Sequence, residues 1–383
     1  MDFQFNEEQH AFADSVRRLA ETELSAGALE RAHNPGFPYD VAQLFGRNGL
    51  MGIAMKPEDG GQGGTLMDAV IAIQETALVC PKSADVLQAG NFGPIRTFVE
   101  YATPTQKAKY LPDLLAGRIV IALCMSEPEA GSAVTELKTT AQKTAGGYLL
   151  KGSKVFSTNS PDASIFLVYV RFGPGVNGIG SVLVERGAHG FTIGKPSNFM
   201  GGEQWCQLYF DDCFIADENV LLGEGGFKKQ ISGFNVERIG NASRSLALGR
   251  YAFNQAREHV MVRRQFGKAL CDFQGVQWKF AEMAMKLEAA QLLLYRAATN
   301  ADGGLPSAYE TAVAKAQANI AGFEVASDAM QMMGAMGYTE ETLVEYCLRR
   351  TRGWMIAGGS VEILKNRIAE GVFDRRFSQR NPC

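Results

Sequence analysis

An acid and a base stand side by side in Gly233-Phe-Asn-Val-Glu-Arg-Ile-Gly240, which opens the longest helical region of the sequence. The residue of chemical interest is Glu237, with Val236 and Ile239 as apolar neighbours. A carboxylate is costly to desolvate, so burial there would raise its pKa and make it a usable proton acceptor. On this pattern alone, Glu-Arg on a helix is more often a solvated surface pair.

Glycine-rich turns offer further candidate binding sites. Glu127-Pro-Glu-Ala-Gly-Ser132 follows a β-rich run and could bring backbone N–H groups to a phosphate or a polar ring edge, although a plain turn is the simpler interpretation. Gly358-Gly-Ser360 could lead into a helix N-terminus suited to an anion. Arg263-Arg-Gln-Phe-Gly-Lys268 is explained by capping at a helix end.

Gly173-Pro-Gly-Val-Asn-Gly178 fits the dinucleotide-binding pattern G-x-G-x-x-G. That fingerprint needs a helix after the glycines, whereas Gly180-Ser-Val-Leu-Val begins another strand. The segment therefore predicts a β-hairpin loop. The four histidines are too scattered to predict a metal site.

The composition narrows the class of protein. The 383 residues carry a formal charge of -3 without a basic stripe, so nucleic acid and an anionic membrane are not expected partners. The N-terminus has no apolar targeting segment, and no run approaches the roughly 18 apolar residues of a membrane span. An odd number of cysteines without metal-ligand spacing favours a reducing compartment, and a cytoplasmic location is expected; they are Cys80, Cys124, Cys206, Cys213, Cys271, Cys347 and Cys383.

Hydrophobic periodicity predicts three domains and an α+β fold class. Residues 1–118 favour helices, beginning with a capping box at Asn6 and Gln9. Residues 119–225 contain short β-rich runs separated by turn residues, typical of an antiparallel barrel or sandwich. Residues 226–383 contain long amphipathic helices and favour a helical bundle.

Several weak motifs in a fixed order resemble those of the acyl-CoA dehydrogenase family over nearly the whole chain. They are Ser126-Glu-Pro-Glu-Ala-Gly-Ser132, Lys151-Gly-Ser-Lys154 with Thr158-Asn159, Phe210-Asp-Asp-Cys213, Arg263 with Gln265-Phe-Gly-Lys268, and Gln331 with Gly334 and Gly337-Tyr338. The resemblance implies an all-α domain, a middle β domain and a four-helix bundle. It also implies FAD bound without a Rossmann motif.

The resemblance assigns cofactor contacts to particular residues. It implies that Ser126, Ser132, Phe156 and Thr158 line the flavin, with Thr158 near N5. Arg263, Phe266 and Gln331 would hold the pyrophosphate and adenosine half across a subunit interface, and Ser360 and Glu362 match positions at the ribose and adenine end. A homo-oligomer follows, most often a tetramer built as a dimer of dimers.

The family's usual catalytic base is a glutamate in the last loop, where this sequence has Gly358. A minority of members, including isovaleryl-type and long-chain-type dehydrogenases, place the glutamate on another helix before an arginine. That position is Glu237, followed here by Arg238. The resemblance therefore implies Glu237 as the base and the Gly358 N–H as the oxyanion donor. It places Arg238, Phe234 and Asn235 along the coenzyme A portion, with Ser132 also near the substrate.

The activity that these roles imply is α,β-desaturation of an acyl-CoA thioester. Glu237 would remove the α-proton, the β-hydride would pass to flavin N5, and electrons would go to an electron-transfer flavoprotein. Alternatives on the same site are an enoyl-CoA reductase of the crotonobetainyl type, an acyl-CoA oxidase and a β-elimination. A non-catalytic acyl-CoA-binding or scaffold protein is a further alternative.

Overall fold

The computed structural model describes residues 4–301 and 305–378, so Cys383 lies outside the described residues. Within these ranges the chain forms thirteen α-helices: α1 (Glu7–Glu23), α2 (Ala28–His33), α3 (Tyr39–Arg47), α4 (Leu66–Ala77), α5 (Ala84–Asn91), α6 (Gly93–Tyr101), α7 (Pro104–Leu115), α8 (Phe227–Val262), α9 (Gln274–Thr299), α10 (Ala308–Met333), α11 (Ala335–Tyr338), α12 (Val344–Trp354) and α13 (Val361–Val372). The predicted capping box is confirmed, because the Asn6 side chain accepts from the Gln9 N–H at 2.8 Å and the Asn6 N–H donates to Gln9 Oε1 at 3.1 Å.

The β-rich middle segment folds into one sheet, and a small hairpin follows α8. The strands are β1 (Ile121–Cys124), β2 (Thr140–Thr144), β3 (Gly147–Thr158), β4 (Ile165–Arg171), β5 (Ile179–Glu185), β6 (Phe191–Asn198), β7 (Gln204–Ala216), β8 (Val220–Leu222), β9 (Arg264–Gln265) and β10 (Lys268–Ala269). The main sheet has the order β6-β7-β3-β2-β4-β5-β8, with β1 also paired to β4. The predicted α+β fold class is confirmed.

Two pairings among the described strands differ from the antiparallel expectation. β1 runs parallel to β4, from Ile121 opposite Ile165 to Cys124 opposite Val168, and β2 meets β4 in parallel at Thr140 opposite Arg171. The β2–β3 hairpin lies between β1 and β4 in sequence and supplies the long connection that a parallel pair requires. By contrast, β4 and β5 are antiparallel and directly connected, which confirms that residues 173–178 form a hairpin loop.

The strand β4 is buried on both faces. Leu167 and Tyr169 belong to an apolar cluster that includes Phe98 of α6, whereas Phe166 and Val168 belong to a second cluster on the other face. Alternate side chains of a strand point to opposite faces, so the nearly continuous apolar sequence of β4 fits this central position.

The chain separates into two compact units. The helical unit comprises the described residues of Met1–Leu29, Ile73–Pro81 and Asn235–Cys383, and the sheet unit comprises Glu30–Ala72 and Lys82–Phe234. Because these units group segments by packing rather than by chain order, the three sequence boundaries proposed above stay a prediction.

No helix within residues 4–301 and 305–378 is both long and apolar enough to cross a membrane. The described histidine, cysteine, aspartate and glutamate side chains form no group suited to holding a metal ion.

A glycine contact lets two helices of the bundle approach closely. An added Cβ on Gly322 of α10 would lie 2.4 Å from the Ser245 carbonyl oxygen of α8. Gly249 lies opposite, where an added Cβ would be 3.0 Å from the Gly322 Cα. The absence of side chains here sets the spacing of α8 and α10, which carry the residues described below.

Replacing Gly322 with alanine is expected to lower the free energy of unfolding by about 1–3 kcal/mol, because backbone must move to accept the methyl group. Urea unfolding followed by circular dichroism measures this change. Gly275→Ala on α9 is the matched control, since nothing lies within 4 Å of its added Cβ. An unchanged urea midpoint for Gly322→Ala would contradict this account of the helix spacing.

Candidate functional site

The turn between α12 and α13, residues 355–360, contains the predicted oxyanion donor. Gly358 and Gly359 have φ angles of +68° and +93°, a left-handed region that favours glycine. Ser360 caps α13 by accepting from the Ile363 N–H at 3.4 Å. Within the part of the chain that the structure describes, the N–H groups of Met355, Ile356, Ala357 and Val361 donate to backbone carbonyls at this turn, and that of Gly358 does not.

One face of α8 lies against this turn. An added Cβ on Gly358 would be 3.9 Å from Asn241 Nδ2, and one on Gly359 would be 3.8 Å from Arg238 Nη2. Glu237 lies one turn before Asn241 on the same helix face. The structure therefore brings Gly358 to one cluster in the helical unit with Glu237 and Arg238, from which it is far apart in the sequence.

The expected burial of Glu237 is only partly met. Val236 and Ile239 are 1% and 0% exposed, but Glu237 itself is partly exposed in the chain. Successive residues on an α-helix point about 100° apart, so buried neighbours in sequence do not bury the residue between them. Glu237 is therefore neither buried nor fully exposed in the chain.

A buried lysine that sequence reasoning missed connects these elements. Lys315 of α10 is 0% exposed, and its Nζ donates to the carbonyl oxygens of Trp354 at 3.2 Å and Gly359 at 2.9 Å. Burial lowers the pKa of Lys315 to about 7, with Arg238 acting in the same direction and Glu237 in the opposite one. The only sequence signal was one lysine in an alanine-rich helix, which is typical of a solvated position.

The residues predicted along the coenzyme A portion fall in different surroundings. Arg238 donates from Nη1 to Asn235 Oδ1 at 2.9 Å, and burial, together with nearby Arg367, lowers its pKa to about 10. It therefore stays charged at neutral pH and could attract an anion. Phe234 is 9% exposed within the apolar cluster that contains Phe98, so its place along a channel stays a prediction.

Three of the predicted flavin contacts lie together in the sheet unit. The Ser126 carbonyl accepts from the Val155 N–H at 2.9 Å, which places Ser126 beside Phe156 near the end of β3. Phe156 has a φ angle of +58° and is 58% exposed, and its ring lies 4.6 Å from that of Trp205. Thr158 is exposed at the end of β3, opposite Trp205. This is an exposed aromatic surface flanked by hydroxyl groups.

A buried ion pair supports the turn that carries Ser126 and Ser132. Lys154 Nζ lies 2.7 Å from Glu127 Oε1, with side chains 0% and 7% exposed. Glu127 also accepts from the Thr139 N–H at 2.9 Å, and Lys154 donates to the Met125 carbonyl at 3.2 Å. Burial alone would raise the pKa of Glu127, but Lys154 and the hydrogen bonds hold it below its usual value. Ser132 itself is exposed.

The segment Arg263–Lys268 forms a hairpin beyond α8, not the simple helix cap expected from its sequence. β9 and β10 pair around Phe266 and Gly267, whose φ angles are +51° and +84°. Such a two-residue turn suits the twist of a hairpin. Phe266 is 94% exposed at the tip of this hairpin. Arg263 and Gln331 are also exposed.

These donor sets fit the cofactor that the resemblance implies. Hydroxyl groups and an exposed ring in the sheet unit suit a flavin, since aromatic faces stack and hydroxyls bind its polar edge. The Arg263 guanidinium suits a pyrophosphate, and the exposed Phe266 ring offers an apolar face. Ser360 and Glu362 stand at the start of α13, with Glu362 exposed. No predicted cofactor residue lies in surroundings that would bar these contacts.

Comparison with known families covers the chain in three consecutive matches. Residues 6–118 match the acyl-CoA dehydrogenase N-terminal domain, residues 122–213 the middle domain, and residues 224–373 the C-terminal domain. A short-chain-specific acyl-CoA dehydrogenase of Clostridium acetobutylicum is 33% identical over 97% of this chain and 100% of that protein.

Two further comparisons extend this likeness. A 3-sulfinopropanoyl-CoA desulfinase of Paraburkholderia xenovorans is 30% identical over 99% of both chains. The structure of butyryl-CoA dehydrogenase from Megasphaera elsdenii is 32% identical in sequence and superimposes with a TM-score of 0.91. The superposition covers 98% of this chain and 100% of that one. The chain therefore belongs to the acyl-CoA dehydrogenase family, whose members are FAD-dependent flavoprotein oxidoreductases.

Proposed function

We propose that this protein catalyses α,β-dehydrogenation of an acyl-CoA thioester, with Glu237 as the base and the Gly358 N–H as a donor to the thioester oxygen. The observation that carries the proposal is the packing of α8 against the Gly358–Gly359 turn. A carboxylate and an N–H that no hydrogen bond of the turn uses thus lie within one cluster. An α-proton becomes acidic only when its enolate oxygen is stabilised, so both groups are needed together.

Each residue has a defined part in the reaction. The α C–H bond breaks as Glu237 accepts the proton, and the Gly358 N–H hydrogen-bonds to the oxygen on which negative charge develops. Bound FAD supplies the acceptor for the hydride that leaves the β-carbon, which completes the carbon–carbon double bond. Ser126, Ser132, Phe156 and Thr158 would contact the flavin, and Ser132 would also adjoin the substrate.

The other half of FAD requires the exposed groups of the helical unit. Arg263, Phe266 and Gln331 would bind the pyrophosphate and adenosine of the cofactor in a partner subunit, and Ser360 and Glu362 would approach its ribose and adenine end. The exposure of Phe266 supports this role, because large exposed aromatic side chains commonly mark an interface. The protein would then be an oligomer, with a tetramer as the family-based expectation.

Arg238 supports coenzyme A as the carrier. It is charged, adjoins the Gly359 turn and is oriented by Asn235. The names of the short-chain-specific dehydrogenase and the butyryl-CoA dehydrogenase also support an acyl-CoA substrate. An electron-transfer flavoprotein would accept the electrons, as family membership suggests.

The test is anaerobic titration of the FAD-loaded protein with straight, branched, cyclic and dicarboxylic acyl-CoAs. Bleaching of the flavin absorbance by one class, with the 2-enoyl-CoA as product, is the expected result. Reoxidation should then be faster with an electron-transfer flavoprotein than with oxygen. Reoxidation mainly by oxygen, with hydrogen peroxide formed, would identify an oxidase instead.

Elimination is a second candidate because the 30% identical relative is named as a desulfinase. It predicts that a 3-substituted acyl-CoA, such as 3-sulfinopropanoyl-CoA, loses its substituent without an electron acceptor. Turnover of that compound, with none of the saturated acyl-CoAs bleaching the flavin, would replace dehydrogenation by elimination. Flavin reoxidation by enoyl-CoAs alone, without reduction by any acyl-CoA, would indicate a reductase.

A further inference from the structure

We propose that Lys315 is a positioning residue that fixes the Gly358–Gly359 turn, so that the Gly358 N–H stays directed at the thioester oxygen. This inference rests on the proposed function, because it concerns the donor to that oxygen. Lys315 would touch neither substrate nor flavin. Its role is exerted through the backbone of the turn.

The two contacts of Lys315 hold both ends of the turn. Trp354 ends α12, and Gly359 directly precedes Ser360, the cap of α13. Both carbonyl oxygens accept from the same Nζ atom, at 3.2 and 2.9 Å. A cation at the C-terminal end of a helix also interacts favourably with its last carbonyl groups. A single side chain thus fixes the distance between the end of α12 and the start of α13.

The turn needs this outside support because its backbone is permissive. Two successive glycines with positive φ angles have no side chains to restrict the peptide between them. Within the turn, the Val361 N–H donates to the Met355 carbonyl at 3.0 Å, but no hydrogen bond of the turn fixes the Gly358 N–H. The Lys315 Cε atom lies 3.6 Å from where a Cβ of Gly358 would be. The Lys315 side chain therefore packs next to Gly358, the residue that carries the predicted donor.

A neighbour on α10 shows which of these contacts is specific to Lys315. Asn319, one turn along the helix, donates to the Trp354 carbonyl at 2.6 Å and to Asn241 Oδ1 at 3.1 Å. The Trp354 end of the turn therefore has two donors, whereas Lys315 supplies the side-chain hydrogen bond to Gly359. Replacing Asn319 should weaken the attachment of the α12 end at Trp354. Replacing Lys315 should remove the hydrogen bond that holds Gly359 and so make the two glycines more mobile.

Burial of an amine at this position is costly, which indicates that its contacts matter. Lys315 is 0% exposed and burial lowers its pKa to about 7. Arg238 and Arg244 of α8 oppose its charge, and Glu237 favours it. Perturbed groups of this kind concentrate at functional sites, although structural networks also produce them. The contact with the turn, and not the pKa, defines the role.

The experiment compares Lys315→Met with wild type as FAD-loaded protein. We expect kcat to fall about 10- to 100-fold with KM changed less than about threefold, because a displaced donor weakens only the transition state. A second readout needs no turnover. Acetoacetyl-CoA, which ionises to its enolate when the thioester oxygen is stabilised, should form about 10-fold less enolate on the variant at equal pH and saturation.

Matched variants separate positioning from stability. Lys279→Met removes a partly exposed lysine from α9 and should change neither readout. Asn319→Leu should lower the urea midpoint as Lys315→Met does but change kcat and enolate formation less. Lys315→Gln, which keeps a shorter donor, should fall between wild type and Lys315→Met, and it serves as the test if Lys315→Met does not fold.

Two results would overturn the proposal. One is a folded Lys315 variant with wild-type kcat and wild-type enolate formation. The other is a set of Lys315 and Asn319 variants whose kcat losses simply follow their stability losses. Wild-type protein that neither bleaches with acyl-CoAs nor ionises acetoacetyl-CoA would instead contradict the proposed function, and the positioning role would fall with it.

Discussion

Glu237→Gln protein is expected to keep its FAD and to lose roughly 10²- to 10⁴-fold in kcat, the contribution typical of a general base. Glutamine has nearly the same shape as glutamate but cannot accept the α-proton. Because Glu237 is partly exposed and none of the proposed flavin contacts involves it, the flavin-to-protein ratio should match wild type. Stopped-flow measurement of flavin bleaching by the preferred acyl-CoA gives the rate of the chemical step directly.

Glu258→Gln is the matched control, because it makes the same change at an exposed position of the same helix. It should bleach at the wild-type rate. Bleaching of Glu237→Gln within about threefold of wild type would show that another group removes the proton. Loss of flavin from this variant would show instead that Glu237 supports the cofactor.

The sequence contained the local information for the fold but not its long-range pairings. The capping box of Asn6 and Gln9 involves residues three apart, and the hairpin at 173–178 follows from the strand that succeeds the glycines. β2, Thr-Ala-Gln-Lys-Thr, is too polar to be recognised without β3 beside it. The parallel pairing of β1 with β4 likewise joins residues far apart in the sequence, such as Ile121 and Ile165, which local patterns do not reveal.

The candidate site shows the same division. Glu237 and Gly358 were identified through resemblance and the motifs that carry it, and the structure brings their segments together. Lys315 was not identified, because its burial depends on the α12–α13 turn more than 35 residues away in sequence. The apolar neighbours Val236 and Ile239 predicted a buried Glu237. Both neighbours are buried, but Glu237 is partly exposed. Local sequence patterns do not predict buried polar contacts between segments that are distant in the sequence.

The Lys154–Glu127 pair is such a contact, and breaking it should have a large effect on stability. Glu127→Gln leaves the Lys154 ammonium buried without its counter-charge, so we expect the free energy of unfolding to fall by about 3–5 kcal/mol. The turn that carries Ser126 and Ser132 should also loosen, which would lower flavin retention. Urea unfolding of the apoprotein measures the first effect, and the flavin-to-protein ratio after gel filtration measures the second.

Two variants isolate the cause. Glu129→Gln removes the acid of the exposed Glu129–Lys138 pair nearby and should leave the urea midpoint unchanged, because solvent already screens that pair. Glu127→Gln combined with Lys154→Met should recover much of the lost stability, since no buried charge remains without a partner. The low pKa of Glu127 further predicts that the pair contributes fully at neutral pH and is lost as pH falls below its ordinary value of 4.5. If Glu127→Gln unfolds at the wild-type urea concentration, the buried pair does not hold this turn.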